Sequence, residues 1–385
     1  LYRRLLATGR AGAGSWVDYG LLLLRLDRPR EAQAALRTAL PGQAEDLHLQ
    51  GLLAQAALAA GAWQEALPHL QTCIDQDPDP AERAWNQAAL SLLSGQWQAG
   101  WAGFEARWGS RLRRTPLPAF DAPRWRGEPL ENRTLLLWAE QGLGDTLLAL
   151  RHLPRVLERG GHVVLALPRP LLPLVPPLPG LQVVEDTLPL PSFTCHLPLL
   201  SLPGLLNYVP EADGGGAYLQ PPPTDGWADA LRERLRALPP GLRVGLVWRG
   251  GDGFPGNAAR SLSEGDVPSL LATPGIQWVS LQAGTPAPWP LALDLGPELT
   301  DFGRTAQALY ALDQVITVDT ATANLAGALG LEAWVLLHLA CDWRWMLGGA
   351  RTPWYPSLHL FRQRRSGDWR EVILAVQRAL AARGT

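Results

Sequence analysis

Residues in the first 108 positions recur in register at a spacing of 34: Gly20, Ala54 and Ala88; Pro29, Trp63 and Trp97; Ala32, Ala66 and Gly100; Leu36, Leu70 and Phe104. Small residues at fixed places let the two helices of a hairpin approach closely, while large ones fill the space between hairpins. The register predicts about three helical hairpins over residues 1–110. LDRPREA, AGAWQEA and SGQWQAG then read as the turn and start of each second helix. Gly100 and Gly103 weaken the last of these helices, because glycine loses the most backbone freedom on ordering.

Beyond Arg114 the chain changes character. PLPAFDAPRWRGEPLENR is proline-rich and reads as a linker and entry segment over 111–132. From Arg133 short apolar runs alternate with amphipathic stretches. TLLLWA, HVVLAL, LQVVE and FTCHL form one set; RVGLVW, IQWVSL, QVITV and AWVLL form another, after DGGGAYLQPPPTDG and the helix-like WADALRERLRAL. This is the pattern of parallel sheets with helical crossovers. It implies two doubly wound, Rossmann-like halves at 133–238 and 239–385, with the default ligand crevice outside the carboxyl ends of their strands.

The 385 residues, 47% hydrophobic and 18% charged, supply a large core for two or three domains. A formal net charge of −2 gives no global field for nucleic acid or an anionic membrane surface. No apolar run reaches the roughly 18–20 residues that span a bilayer. Cys73, Cys195 and Cys341 stand far apart without C-x-x-C spacing, which argues against a structural zinc site or a disulfide framework. A reducing cytoplasm fits best, and a removed targeting segment stays open for a chain that starts at Leu1. All 34 residues counted as Lys plus Arg are arginines. A Walker A loop, a protein-kinase strand lysine and a pyridoxal-phosphate Schiff base each need a lysine amine, so those classes are excluded. Phosphate contacts fall to arginine, hydroxyls and backbone amides.

Between Thr134 and Gly161 the strand TLLLWA runs through Glu140-Gln-Gly-Leu-Gly-Asp145 into helix-like TLLALRHLPRVLERGG. Such a turn aims unpaired N–H groups into one crevice, where α/β proteins bind phosphates and do chemistry. Asp145 is either an N-cap or a catalytic carboxylate. Gly142 and Gly144 either let the backbone approach a ligand or only permit the turn. In VITVDTATANLAGALG the strand ends at Val318, and Asp319, Thr320, Ala321 and Thr322 lie where the next helix begins. Free amides and two hydroxyls there suit a diphosphate; the alternative is that Asp319 and Thr320 only cap the helix.

WAEQGLGDTLLALRHLP, HLPLLSLPGLL, RVGLVW, ARSLS, VSLQAG, LDQVITVDTATANLAGALG, CDWRWMLGG, TPWYPSLHLFRQ and GDW occur in this order. The 34-residue register resembles the tetratricopeptide repeat family. Together with these motifs, nearly the whole chain resembles the bacterial glycosyltransferases that join such repeats to a heptosyltransferase-like (glycosyltransferase family 9-like) region. The resemblance implies an α-helical tetratricopeptide repeat domain followed by an α/β GT-B fold of two Rossmann-like domains. It also implies a nucleotide sugar as donor, no metal or other cofactor, inversion at the anomeric carbon, and a closing helix, DWREVILAVQRALAA, packed back on the first half. Some relatives of this kind glycosylate proteins, flagellins among them, with the repeats holding the acceptor. Three repeats equally fit a rigid spacer or a homodimer surface.

An acceptor hydroxyl is a weak acid, so transfer gains from a positioned base, and the departing nucleotide diphosphate needs its charge stabilised. By the resemblance Asp145 matches the acidic residue at this turn, the base, with Glu140 as the nearby alternative. Arg260 and Ser261 would donate to phosphate, unless Arg260 makes a structural ion pair. Gln282 would read the base or ribose, or cap; Trp248 would line the sugar pocket, or belong to the core. His196, expected at a strand end facing the cleft, either orients a substrate or is a satisfied core residue. His152 reads as packing, as do Asp342-Trp-Arg-Trp345 and Trp354-Tyr-Pro356. The chain departs from the family pattern at Asn324, where relatives commonly have histidine, and at Phe254 and Asn257, where histidine and aspartate are more usual. These changes fit another donor sugar or lost activity. The expectation is a glycosyltransferase acting on a protein held by the repeats; the rival is a repeat scaffold with a degenerate glycosyltransferase fold.

Overall fold

The computed structural model describes residues 12–26, 28–110, 116–251, 257–365 and 367–383. The chain forms two compact units: Leu1–Leu112 with His338–Gly349 and Arg362–Asp368, and Arg113–Leu337 with Ala350–Phe361 and Trp369–Thr385.

The first unit is built on three helical hairpins: α1 (Ala13–Arg25) with α2 (Pro29–Ala39), α3 (Leu47–Ala59) with α4 (Trp63–Asp75), and α5 (Pro80–Leu93) with α6 (Trp97–Phe104). The second helices start at Pro29, Trp63 and Trp97, the positions of the 34-residue register. Asp46 and Asp79 cap α3 and α5, each accepting a first-turn N–H at 2.9 Å. Gly61 and Gly95 end α3 and α5 with φ of +72° and +78°, a conformation a side chain strains. The small residues lie at the helix contacts. Ala32 and Ala66 are fully buried, and a Cβ on Gly20 would lie 2.5 Å from Leu36 Cγ. The two glycines expected to weaken α6 serve the same end, since a Cβ on Gly100 would lie 2.4 Å from Leu92 Cδ2 and one on Gly103 3.0 Å from Ala88 Cβ. The helix is nonetheless short, passing into a 3₁₀ turn at Glu105–Trp108.

Residues 338–349 and 362–368, expected within the C-terminal α/β half, belong to this unit because the hairpins supply their partners. Leu347 N–H donates to Leu93 O at 3.2 Å, Gly348 lies against the Trp63 indole, and Trp343 packs edge-on to Trp101 at 5.7 Å and Phe104 at 6.1 Å.

The second unit carries two sheets. Strands β1 (Thr134–Trp138), β2 (His162–Leu167), β3 (Leu181–Glu185) and β4 (Cys195–Pro198) form one, in the order β3-β2-β1-β4, all pairs parallel. The other has the order β10-β9-β8-β5-β6-β7, from β5 (Leu242–Val247), β6 (Ile276–Ser280), β7 (Leu293–Asp294), β8 (Gln314–Val318), β9 (Ala333–Leu337) and β10 (Leu358–Arg362). The central strands are apolar throughout, as strands covered on both faces must be. Helices α7 (Leu143–Ala149), α8 (Gly226–Arg236), α9 (Asp266–Leu271), α10 (Phe302–Tyr310), α11 (Ala321–Ala328) and α12 (Arg370–Arg383) lie in the same unit. All eight strands read from the sequence are present; β7 and β10 are additional. The helix expected through Gly161 is broken after Ala149 by a 3₁₀ turn, Leu150–His152, ahead of Pro154, which has no N–H for a helical ladder.

Two further expectations are revised. The entry segment is more than a tether: Trp125 and Leu130 are buried, and the 123–125 stretch adds to the sheet edge, with Trp125 N–H donating to His196 O at 2.9 Å. The closing helix α12 packs on the second sheet rather than on the first half. Val372, Ile373, Val376 and Leu380 form one apolar face that joins Val244, Leu246 and Trp334 in a single core.

A side chain at Gly100 must displace backbone as well as Leu92 methyls, since its Cβ would also stand 3.1 Å from the Leu92 N. Gly100→Val is therefore expected to destabilise the first unit by about 1–3 kcal/mol, the usual range for overpacking, read as a lowered urea midpoint by intrinsic tryptophan fluorescence.

Candidate functional site

Parallel strands in register carry their following loops to the same edge. Val247 pairs with Thr317 and Leu246 with Ser280, so the segments after β5, β8 and β6 emerge together. They hold Trp248–Gly250, Asp319–Thr322 and Gln282. In the first sheet Glu140 to Asp145 follow β1 in the same way.

The two sets meet directly. A Cβ on Gly144 would lie 2.7 Å from Asn324 Nδ2, with Ala321 Cα at 3.6 Å, so the first turn of α7 rests on the first turn of α11. Gly144 is small because another helix is there. The strained residue of the β1–α7 turn is Gln141, at φ +62°, and Gly142 is in an extended conformation as N-cap of α7. Asp145 reaches back to accept the Gly142 N–H on Oδ2 at 2.9 Å, half of a capping box. The capping reading of Asp145 is thus realised in geometry, and the same bond fixes the orientation of the half-buried carboxylate. Glu140 is buried, at 4% exposure.

On the other side Thr320 is the N-cap residue of α11, but its side chain does not cap this helix. The Thr320 hydroxyl pairs instead with Thr317 Oγ1 at 2.9 Å. Asp319 and Thr320 are nearly buried, and Ala321 and Thr322 are half-buried. Asn324 is fully engaged: its Nδ2 donates to Thr320 O at 3.0 Å and its Oδ1 accepts the Tyr355 hydroxyl at 3.1 Å. At this position the amide is a brace within the fold.

The remaining residues that the sequence suggested for donor binding form a second cluster. Gln282 clasps the Arg249 backbone, its Nε2 donating to Arg249 O and its Oε1 accepting Arg249 N–H, both at 3.1 Å. Ser261 donates to Asn257 O at 2.6 Å and accepts Gly250 N–H at 3.2 Å. Arg260 packs on Gly250 and directs Nε toward Asn257 Oδ1 at 3.4 Å. Trp248 is 5% exposed and belongs to the core, edge-on to Trp289 at 5.2 Å. Phe254 lies outside the described residues.

His196 is placed apart from Asp145, in register with Leu136 rather than at the strand end. It lies edge-on to Phe120 at 4.9 Å, and its Nδ1 accepts the Trp138 indole N–H at 3.3 Å. Burial, then the nearby Arg124, holds its pKa below the usual histidine range. The geometry is that of a satisfied core residue.

The group the sequence does not single out is Arg151. It donates from Nε to Leu148 O at 3.1 Å, from Nη1 to the Tyr208 hydroxyl at 2.9 Å, and from Nη2 to Trp354 O at 3.0 Å. Four rings surround the guanidinium, with centroids at 4.7 Å for Tyr218, 5.1 Å for Tyr355, 5.2 Å for Trp354 and 5.7 Å for Tyr208. The aromatic run Trp354-Tyr355 was the available signal; its partner on the other half has no sequence signature. The Tyr218 hydroxyl donates to Leu147 O at 3.0 Å and lies 3.4 Å from the Tyr355 hydroxyl. A polar chain thus runs from α7 through Tyr218, Tyr355 and Asn324 to the start of α11.

No family model matches the chain. Protein FlbA of Caulobacter vibrioides is 29% identical over 372 residues, an alignment that covers 84% of this chain and 60% of that protein. The chain therefore spans about 60% of the length of this curated relative. Among solved structures, the glycosyl transferase family 9 protein from Veillonella parvula DSM 2008 is 11% identical at a TM-score of 0.43, over 66% of this chain and 91% of that one. An O-GlcNAc transferase mutant of Thermobaculum terrenum is 12% identical at a TM-score of 0.23, over 96% and 92%. Among the described residues no helix is long and apolar enough to cross a membrane.

His152 is fully buried beside the Tyr208 ring, 4.7 Å away, with neither ring nitrogen hydrogen-bonded among the described residues. Burial, then the charges of Arg151 and Arg155, pushes its pKa well below the ordinary value. The unfolded chain therefore binds a proton that the folded one refuses. Stability is whole above about pH 6.5 and falls as the pH drops below it, by at most about 1.4 kcal/mol per pH unit. His152→Phe is expected to remove this part of the acid sensitivity, seen as a flatter dependence of the thermal midpoint between neutral and mildly acidic pH.

Proposed function

We propose that the second unit is a metal-independent glycosyltransferase of the two-Rossmann GT-B type. It moves a sugar from a nucleotide-activated donor to a hydroxyl acceptor, with Asp145 as general base. The observation that supports this most is the approach of two strand-to-helix turns across the halves: an oriented carboxylate on α7 beside the start of α11, where the N-cap Thr320 hydroxyl pairs with Thr317 instead of with the first-turn amides. A base on one side and dipolar N–H groups on the other are the two needs of the reaction, proton removal from the acceptor and charge stabilisation on the departing diphosphate. The cluster of Arg260, Ser261 and Gln282 supplies further donors at the same sheet edge. We read residues 1–110 as a tetratricopeptide repeat domain that docks a protein or peptide acceptor, with 133–238 as the acceptor-side half and 239–337, 350–361 and 369–385 as the donor-side half.

The second reading is a repeat scaffold with a degenerate transferase fold. It is favoured by the internal engagement of Asn324 with Thr320 and Tyr355 and of Gln282 with Arg249, where a donor would otherwise be held.

A thermal-shift screen against uridine, guanosine, adenosine and cytidine diphosphates and their common sugar conjugates separates the two. A ligand at about 100 times its dissociation constant adds roughly 2.7 kcal/mol of stability, and one nucleotide is expected to give such a shift. No shift from a well-folded sample favours the scaffold. With the donor identified, Asp145→Asn is expected to lower transfer by at least about 100-fold while leaving the nucleotide shift in place. Unchanged transfer removes Asp145 as the base.

A further inference from the structure

Asp145 rides on α7, a helix of only seven residues, and a helix that short stands where its two ends are held. The carboxylate lies three residues before Leu148, about 4.5 Å along the axis at 1.5 Å per residue, so a tilt at the far end is felt at the turn. Two successive carbonyls at that end are gripped by side chains beyond the helix. Leu147 O accepts the Tyr218 hydroxyl at 3.0 Å, and Leu148 O accepts Arg151 Nε at 3.1 Å.

Arg151 carries its grip across the unit. Nη1 reaches the Tyr208 hydroxyl, which donates onward to Gly214 O at 3.0 Å, and Nη2 reaches Trp354 O. Its bonds therefore end on α7, on the crossover between the two sheets, and on the segment ahead of β10. A planar fork can serve three segments at once, and a compact ammonium cannot.

The crossover and the segment ahead of β10 are themselves fixed to the second half. Tyr218 and Leu219 N–H both donate to Ala328 O, at 2.9 and 3.0 Å, at the end of α11. A Cβ on Gly215 would lie 2.6 Å from Pro356 Cδ, which leaves the crossover flat against that turn. Gln307 Nε2, on α10, donates to Pro223 O at 2.9 Å. With Gly144 resting on Asn324 at its first turn, α7 is thus held to the second half at both ends.

We propose that Arg151 is a positioning residue of the transfer site. By tying the end of α7 to the crossover and to the Trp354 carbonyl, it sets where the Asp145 carboxylate stands against the start of α11. It acts through Asp145, and a misplacement of roughly 1 Å between reacting groups costs about 100-fold in rate. This kinetic consequence rests on the sugar-transfer reading; the tie itself does not.

The test compares the full chain with Arg151→Lys, which keeps the charge and loses the fork, and with Arg151→Met, which loses both. Tyr208→Phe removes only the hydroxyl that Arg151 holds on the crossover and keeps the ring, so it serves if the arginine variants do not fold. Native-state hydrogen exchange without ligand is expected to quicken in residues 141–149 and 351–358 together, while β1 and β8 stay as protected as before. In nucleotide-sugar turnover the arginine variants are expected to lose about 100-fold in kcat, with donor KM and the nucleotide-induced thermal shift kept; Tyr208→Phe loses less, in the same sense. Unchanged exchange overturns the proposal, as does exchange that quickens in one of the two segments alone or evenly over the whole unit, the mark of lost stability. An unchanged kcat overturns it too, whether donor KM stays or rises, and a risen KM makes Arg151 part of donor binding instead. A wild-type chain with neither nucleotide shift nor transfer removes the sugar-transfer reading, and the exchange result still decides whether Arg151 holds the turn.

Discussion

The contact of Gly144 with Asn324 joins the two sheets of the second unit at their first helical turns. Two helices from different sheets can meet at their first turns only if one of them lacks a side chain there, and Gly144 leaves less than a methyl group of room. Asn324 then cannot swing: one end of its amide is held by Thr320 and the other by Tyr355. Tyr355 is itself buried and close to Tyr218, which holds α7 through Leu147. The turn that carries Asp145 and the one that carries Asp319 are thus braced through a short series of hydrogen bonds. Buried polar networks of this kind are stiff when every member is satisfied.

The chain has no lysine, and its buried cations show what arginine does in that position. Arg151 is held by a hydroxyl, two carbonyls and four rings. Arg107, 3% exposed, lies against Phe104 and Trp108 and pairs with Glu105 at 2.8 Å. Arg362 spans a set of loop carbonyls. A planar cation can be solvated by stacking and by in-plane donors to carbonyl oxygens, which a compact ammonium does less well. At Arg151 and Arg362 positive charge is used as a structural fastener between segments that have no secondary structure in common.

The helical repeat and the eight main strands were legible because each is written in a period or in a run of apolar residues. Helix starts at Pro29, Trp63 and Trp97 follow from the register, and the parallel sheets follow from unbroken stretches such as QVITV and AWVLL. The turn residues were legible as a place, and less so as roles. Gly144 looks like a ligand-approach glycine until the facing helix is known, and Gln282 looks like a reader of bases until its two bonds to Arg249 are seen. The Arg151 cage joins residues from distant parts of the chain, and a pattern of that kind leaves no spacing to read. The closing helix carries a plain apolar face, but a face does not say which sheet it will meet.

The first unit is discontinuous in sequence, and that has a consequence for how the protein is made. The hairpins leave the ribosome before the second unit, yet Trp343, which packs against Trp101 and Phe104, and Leu347, which bonds to Leu93, belong to a segment synthesised only after β9. Until then the last hairpin shows its tryptophan and phenylalanine to water. The repeats therefore spend most of the second unit's synthesis as an unfinished surface, and the chain closes that surface with its own later sequence.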